Sequence, residues 1–560
     1  MWEHMRKVQE FIKRIGSKSP SIVTQTNQLQ VPPQTADENS HLPTDPAGVH
    51  AWLLTHNAFG DGNPDQNLLS ILEHCNRSPV SPQDRLEILK QFEAPCARVL
   101  QSLDTLFLYL DLPLLEDAES AFKASSDLCK EMAYGYKLVL CNGDERSQTL
   151  DKKARVFCIN KALEHIGRQA LRLSMVYRSW PGSIWQDANA LVKIAQFDRI
   201  ENSTTDTQPS VIDQYAHLCS FYLLATGNFQ VDELRALFID LKDQVSAINF
   251  QNKPDTSVQE QFCAASDKPP SRVAFTQYSK NDSPLYFSLN TLVENLKNNP
   301  DRRETPPAYL NHLSVSLQRR SSARSSRDNT INAVTGLTEI HTHMNLMPPT
   351  EDTGYHYANP ADLIAGNSSP GQNIKELLRQ PDTSDFGTGF RVENQSANGI
   401  GLHLHRAGSC QVQVGELIAH CYGESSDQIN WHIGTIQWLK TENDHSLKLG
   451  VESIADNARA VKVSRIRDGK KQSSDSFDGV LANGKATSSR ATQLLLPAHS
   501  FKPGETVCFS DKECTRLFKL AEIVTYNDRY QCFAIYTVKK QSQRPVTTST
   551  VIPFNKQAAV

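Results

Sequence analysis

The spacing of apolar residues changes period partway along this chain, and that change limits the possible folds more than any other feature. Across residues 47–250 apolar side chains recur in three- and four-residue steps. Ile159, Leu163, Ile166, Ala170, Leu173 and Tyr177 form one such set. Leu234, Phe238, Leu241 and Val245 form another, and Val99, Leu103, Leu106 and Leu110 a third. This spacing places each set on one face of a helix. From about residue 311 the period becomes two. Short strand patterns then follow closely: Ile331–Thr342, Gly389–Glu393, Gly399–His405, Gln411–Leu417, Ile429–Trp438 and Leu447–Ile454. Closely spaced short strands point to a small antiparallel barrel. The expected fold class is α+β multidomain: an all-helical N-terminal domain, an antiparallel β-barrel and a small β appendage.

Breaks in these patterns set the expected boundaries. Residues 1–46 read as a short amphipathic helix, with Trp2, Met5, Val8, Phe11, Ile12 and Ile15 near one face, followed by a polar linker. Residues 47–250 are the helical domain, in which Ser81-Pro82-x-Asp84 marks a helix start. There Ser is the cap, Pro opens the first turn and Asp faces the N-terminal dipole. Residues 251–310 connect to the barrel with a short strand and helix near Leu285–Leu296. The barrel spans 311–467, with an insertion at about 346–386 rich in Asn, Ser, Pro and Gly, and Arg459–Arg467 as its closing strand. A polar loop at 468–490 leads to the appendage at 491–545, where Asn527-Asp528 turns a hairpin. Residues 546–560 are a tail.

Composition narrows the function. A formal net charge of −4 over 560 residues provides no global field to attract nucleic acid or anionic lipid, so an anion site must be local. The most apolar window, Val99–Leu115, is broken by Asp104, Asp111 and Pro113 and is too interrupted to cross a membrane. The twelve cysteines form no C-x-x-C pair and no zinc-finger spacing. With no secretory leader pattern at the start, they are expected to be reduced thiols of a cytoplasmic protein.

The local site is Phe390–Leu404, FRVENQSANGIGLHL, read as strand, tight turn and strand. Its turn carries Asn394-x-Ser396-x-x-Gly399. Upstream, Arg319, Arg320, Arg324 and Arg327 stand among serines, with Arg320 and Arg324 forming R-x-x-x-R. Guanidinium groups bind phosphate and guanine O6/N7 in bidentate fashion and stack on bases. An Asn amide reads a base edge, a Ser hydroxyl and turn N–H groups face phosphate, and Gly lets a backbone approach closely. The pair of motifs resembles the ligand signature of PilZ domains, small β-barrels that bind cyclic di-GMP. Val412-x-Val414-Gly415-Glu416, Gly434-x-Ile436-x-Trp438 and Leu449-Gly450-Val451-Glu452 resemble the later strands of such a barrel, in order.

The resemblance implies ligand-binding residues Arg320, Arg324, Asn394, Ser396 and Gly399, with Arg319 and Arg327 as further candidates, and no cofactor besides the ligand. It implies a cytoplasmic bacterial receptor whose helical domain engages a protein partner, or else a PilZ-like scaffold in pilus, flagellar or secretion machinery that acts without the nucleotide. The motif halves stand 70 residues apart, so only folding joins them. No enzyme signature is present, and neither catalysis, a metal site nor DNA binding is expected. Gly479–Lys485 imitates a P-loop but has Ala486 where Ser or Thr is needed. His341-x-His343 and His403-x-His405 read as strand histidines without a third metal ligand.

Overall fold

The computed structural model describes residues 28–35, 41–346 and 388–538, less short internal stretches of which the longest are 142–149, 274–283, 299–308, 314–324, 422–429, 484–491 and 510–516. The expected N-terminal helix, nearly all of the 346–386 insertion and the 546–560 tail lie outside the described residues. The chain forms two compact units. One comprises Met1–Ile331, Thr388–Glu416 and Thr435–Glu452; the other comprises Asn332–Gly387, Leu417–Gly434 and Ser453–Val560.

The first unit begins with the helices α1 (Pro46–Phe59), α2 (Pro64–Arg77), α3 (Pro82–Phe107), α4 (Glu116–Cys141), α5 (Lys152–Met175), α6 (Gly182–Asp198), α7 (Val211–Leu224) and α8 (Val231–Gln244). The expected start of α3 is formed as read: Ser81 Oγ accepts a hydrogen bond from the Asp84 N–H at 3.1 Å. The stripes Ile159–Leu173 and Leu234–Val245 are buried in one apolar core. The third stripe needs correction. Leu106 and Leu110 are exposed, and α3 instead buries Cys96, Leu100, Leu103 and Phe107. Those four residues keep the same helical steps, so the apolar pattern alone left the choice of face open. Trp180 and Trp185 stack with ring centroids 5.6 Å apart, Trp185 buried in the core and Trp180 half-buried against it. A three-stranded sheet, β1 (Phe262–Ala265), β2 (Lys268–Arg272) and β3 (Leu285–Phe287), leads to α9 (Asn290–Asn298).

The next strands form one seven-stranded sheet: β4 (Ser325–Ser326), β5 (Thr330–Thr335), β6 (Thr388–Ser396), β7 (Gly399–Leu404), β8 (Leu417–Cys421), β9 (Trp431–Thr441) and β10 (Leu447–Ala455). Their order is β4-β6-β5-β8-β9-β10-β7, and a further β6–β7 pairing joins six of them into a ring. Ile331–Thr342 is not a single strand. β5 ends at Thr335, Gly336 takes φ +80°, and α10 (Leu337–Leu346) follows. Only glycine adopts that φ cheaply, so it ends the strand. His341 and His343 therefore sit on a helix. Gln411–Leu417 is likewise mostly not strand; Val412 makes an isolated bridge, and β8 begins at Leu417.

The second unit carries a closed barrel of β11 (Asn457–Arg467), β12 (Lys470–Asn483), β13 (Gln493–Pro497), β14 (Thr506–Phe509), β15 (Leu517–Tyr526) and β16 (Tyr530–Val538). Two expectations are overturned here. Residues 459–467 close this barrel rather than the preceding one, and most of the 468–490 polar loop is the strand β12. β12 pairs with β11 at Lys470 and Lys471 and again from Ser476 to Asn483, with a register shift between, so the two strands form a hairpin although polar side chains hide the strand pattern. Farther along, Val480 and Ala482 enter one apolar cluster and Leu481 another. The β appendage is thus a complete six-stranded barrel, with the expected turn at Asn527-Asp528 between β15 and β16.

Candidate functional site: the glycine-lined face of the β6–β7–β10 strands

β6 and β7 pair as a hairpin with Ser396 opposite Gly399 and Asn394 opposite Gly401. β7 continues onto β10, with Gly399 opposite Glu452, Gly401 opposite Gly450 and His403 opposite Lys448. Alternation sends Phe390, Val392, Ile400, Leu402, Leu404, Leu447, Leu449 and Val451 inward, where all are buried. The opposite face carries the signature. A bulge between Val392 and Asn394 shifts the register just before the motif and re-aims the residues that follow it.

That face is built around glycines. A Cβ on Gly399 would stand 2.2 Å from the Val451 carbonyl oxygen. One on Gly401 would stand 2.9–3.1 Å from the Asn394 amide group, and one on Gly450 would overlap the Trp438 indole, 1.9 Å from Nε1. Asn394, Gly401, Gly450 and Trp438 therefore form one row across β6, β7, β10 and β9, with an amide at one end and an indole at the other. Ser396 closes the turn by donating from Oγ to the Gly399 carbonyl oxygen at 3.3 Å. Asn394, Ser396, Gly399 and Trp438 are half-buried, whereas Gly401 and Gly450 are buried beneath the Asn394 amide and the Trp438 indole.

A second row lies beside the first. Arg391, His403 and Lys448 face one another across the three strands. Glu393 balances them: its Oε1 is 3.2 Å from Lys448 Nζ and 3.6 Å from His403 Nδ1. The ring of His403 lies 4.0 Å from that of His405. Among the described residues no group of three or more His, Cys, Asp or Glu side chains is placed to hold a metal ion.

β4 bears on the 70-residue gap between the motif halves. Arg319, Arg320, Arg324 and Arg327 lie outside the described residues. Ser325 and Ser326, the two residues of β4, pair with Gln395 and Asn394. The short stretch between Arg324 and Arg327 is therefore laid against the signature strand. Sequence reasoning missed Gly401, Gly450 and Trp438 as parts of this face. The signals were Gly399 and Gly401 two apart on one strand, hence on one side, and a lone Trp at the end of Gly434-x-Ile436-x-Trp438.

The same sheet is stitched to the helical region within the first unit. Leu112 and Val412 exchange two backbone hydrogen bonds of 2.9 Å. The Leu439 N–H donates to the Gly227 carbonyl oxygen and the Thr441 N–H to that of Tyr177, each at 2.9 Å. The Gln413 side-chain amide donates to the Tyr109 carbonyl oxygen at 2.9 Å.

Residues 365–460 match the family model of the middle PilZ domain of the cyclic-di-GMP receptor FimW, and residues 48–255 match the model of that receptor's N-terminal domain. The chain is a PilZ-domain protein, with the glycine-lined face inside the matched PilZ segment. Over 550 residues it is 20% identical to the cyclic-di-GMP receptor FimW of Pseudomonas aeruginosa, an alignment that covers 86% of this chain and 88% of that protein. No solved structure matches the chain significantly. The arginine segment precedes the residues matched by the PilZ model.

Proposed function

We propose that this protein is a cytoplasmic bacterial receptor for cyclic di-GMP that acts by binding rather than by catalysis. The observation that carries the reading is the pairing of Ser325–Ser326 with Asn394–Gln395, which ties the arginine segment to the signature strand. Arg320 and Arg324, with Arg319 and Arg327 beside them, clamp the phosphates and a guanine. The Asn394 amide reads a base edge, and the Ser396 turn keeps its N–H groups toward phosphate. Gly399 lets the turn close against Val451, Gly401 gives the Asn394 amide its place on the sheet, and Trp438 offers a stacking surface. The FimW relationship along most of both chains supports this assignment.

The output passes through the helical region to a protein partner. The backbone bonds that join the sheet to that region favour a local signal over a swing of two loosely tethered halves, because a swing would break several hydrogen bonds worth about 1 kcal/mol each. The test is fluorescence polarisation of labelled cyclic di-GMP with wild-type protein and the Arg320→Ala/Arg324→Ala variant. Loss of binding in the variant, with an unchanged melting temperature, supports the clamp. Wild-type affinity in the variant refutes it. A wild-type protein that ignores the nucleotide favours the scaffold reading instead.

A further inference from the structure

A cavity of about 490 Å³ lies within the first unit, where the end of β9 meets the helical region. β9 supplies Trp438 and Lys440. The loop between α5 and α6 supplies Arg178 and Trp180, α7 supplies Tyr222, and Ala225 and Gly227 follow α7. The walls are rigidly joined. The Leu439 N–H donates to Gly227, Thr441 bonds to Tyr177, and a Cβ at Gly227 would come within 2.4 Å of the Leu439 carbonyl oxygen. Trp180 is held by its stack on Trp185, by a Tyr222 edge contact at 5.0 Å, and by donation from Nε1 to Ser174 Oγ at 3.0 Å.

The chemistry of this cavity is aromatic and close to neutral. Arg178 already makes two bonds to Glu119, at 2.8 and 2.6 Å. Lys440 is paired with Glu442 at 2.8 Å. Neither cation is left over for a phosphate. Indole and phenol rings with hydroxyl and backbone groups between them suit a flat ring with polar edges, as a nucleobase is.

Trp438 belongs to both sites. Its indole covers Gly450 in the signature row, and Trp438 is also among the residues that line the cavity. From the Asn394 strand to β9 is three strand spacings, roughly 14 Å. A cyclic dinucleotide with a base on either side of its ring has a comparable reach.

We propose that the cavity receives the second guanine of the dinucleotide whose other end is held at Asn394, so that Trp180 and Tyr222 of the helical region contact the ligand directly. This rests on the receptor reading above. The test is calorimetric titration of cyclic di-GMP into the full chain carrying Tyr222→Leu, which removes a ring but keeps apolar packing, or Ala225→Leu, which narrows the cavity. Each variant is expected to bind roughly 5- to 150-fold more weakly than wild type, the range for one lost base stack. If Tyr222→Leu fails to fold, Ala225→Leu carries the test. Wild-type affinity in the folded variants, with binding still lost in Asn394→Ala, overturns the cavity and leaves the receptor reading standing. No binding by the wild type overturns both.

Discussion

The two β-rings of this chain have the same strand count and differ in what their strands give up. In the β11–β16 barrel nearly every inward position is filled: Val463, Leu481, Leu494, Leu496, Val507, Phe518, Leu520, Phe533 and Ile535 make a continuous apolar cluster. Its strand glycine, Gly479, abuts Leu495 and Leu496 and so serves packing. The earlier ring also fills its interior, but its outer face places glycines at 399, 401 and 450 on adjacent strands. Glycine weakens a strand and gives it no side chain to pack. The space over these three is taken by the Val451 carbonyl oxygen at Gly399, the Asn394 amide at Gly401 and the Trp438 indole at Gly450. In one ring the strand glycine sits under aliphatic packing, and in the other two of them sit under the amide and indole side chains of the signature face.

That contrast can be broken by exchanging the effects. Leu494→Ala in the second barrel should cost about 2–5 kcal/mol of stability through the cavity it leaves, yet keep wild-type nucleotide affinity in the folded fraction. Denaturant unfolding and titration of the same sample check it; weakened binding would mean that the barrels are not separate in role. The opposite pattern is expected for Gly401→Ala on the signature face. Its Cβ must displace the Asn394 amide, so binding should fall at least tenfold while stability moves by about 1 kcal/mol, the usual glycine-to-alanine scale.

The helical region adds a third kind of site, a buried imidazole. His217 is buried, its Nε2 lies 2.7 Å from the Phe238 carbonyl oxygen, and burial lowers its pKa to about 4, with Lys242 adding to the effect. The unfolded chain takes up the proton near pH 6.5 and the folded chain only near 4. Stability is therefore full above 6.5 and is lost as pH falls toward 4, by up to about 3 kcal/mol. His217→Gln should flatten that loss, as followed by thermal melts at pH 7 and pH 5.

Smaller effects test the joints. Gly227→Ala presses a methyl on the Leu439 carbonyl oxygen and should cost about 1–3 kcal/mol. If the stitching holds the sheet to the helices, its calorimetric transition should also broaden or split. Ser81→Ala should cost only about 1 kcal/mol, the value of one helix cap.

Fold class was largely legible because it rests on periodicity. Helices at Ile159–Leu173 and Leu234–Val245, the Ser81 cap and the Asn527-Asp528 hairpin all carry local signals. The face of α3 was not legible, since Leu106 and Phe107 are both apolar and each continues a helical stripe through Leu103, and only tertiary packing chooses between them. β12 was hidden by its polar half, in which no apolar alternation marks a strand. At the site, the Asn394–Gly399 turn could be read directly, because turn chemistry is local. The row from Asn394 to Trp438 could not, because it depends on strand register between segments that are distant in the chain. The placement of Ser325–Ser326 on Asn394–Gln395 is likewise a long-range pairing that no local pattern announces.

The central claim is that this glycine-lined face and the arginine segment together hold a cyclic dinucleotide. Isothermal titration of the full chain with cyclic di-GMP at physiological ionic strength tests it most directly. The account predicts saturable heat for the wild type that disappears with Asn394→Ala. A wild-type protein that gives no heat and binds no nucleotide, or an Asn394→Ala variant with undiminished affinity, would contradict it.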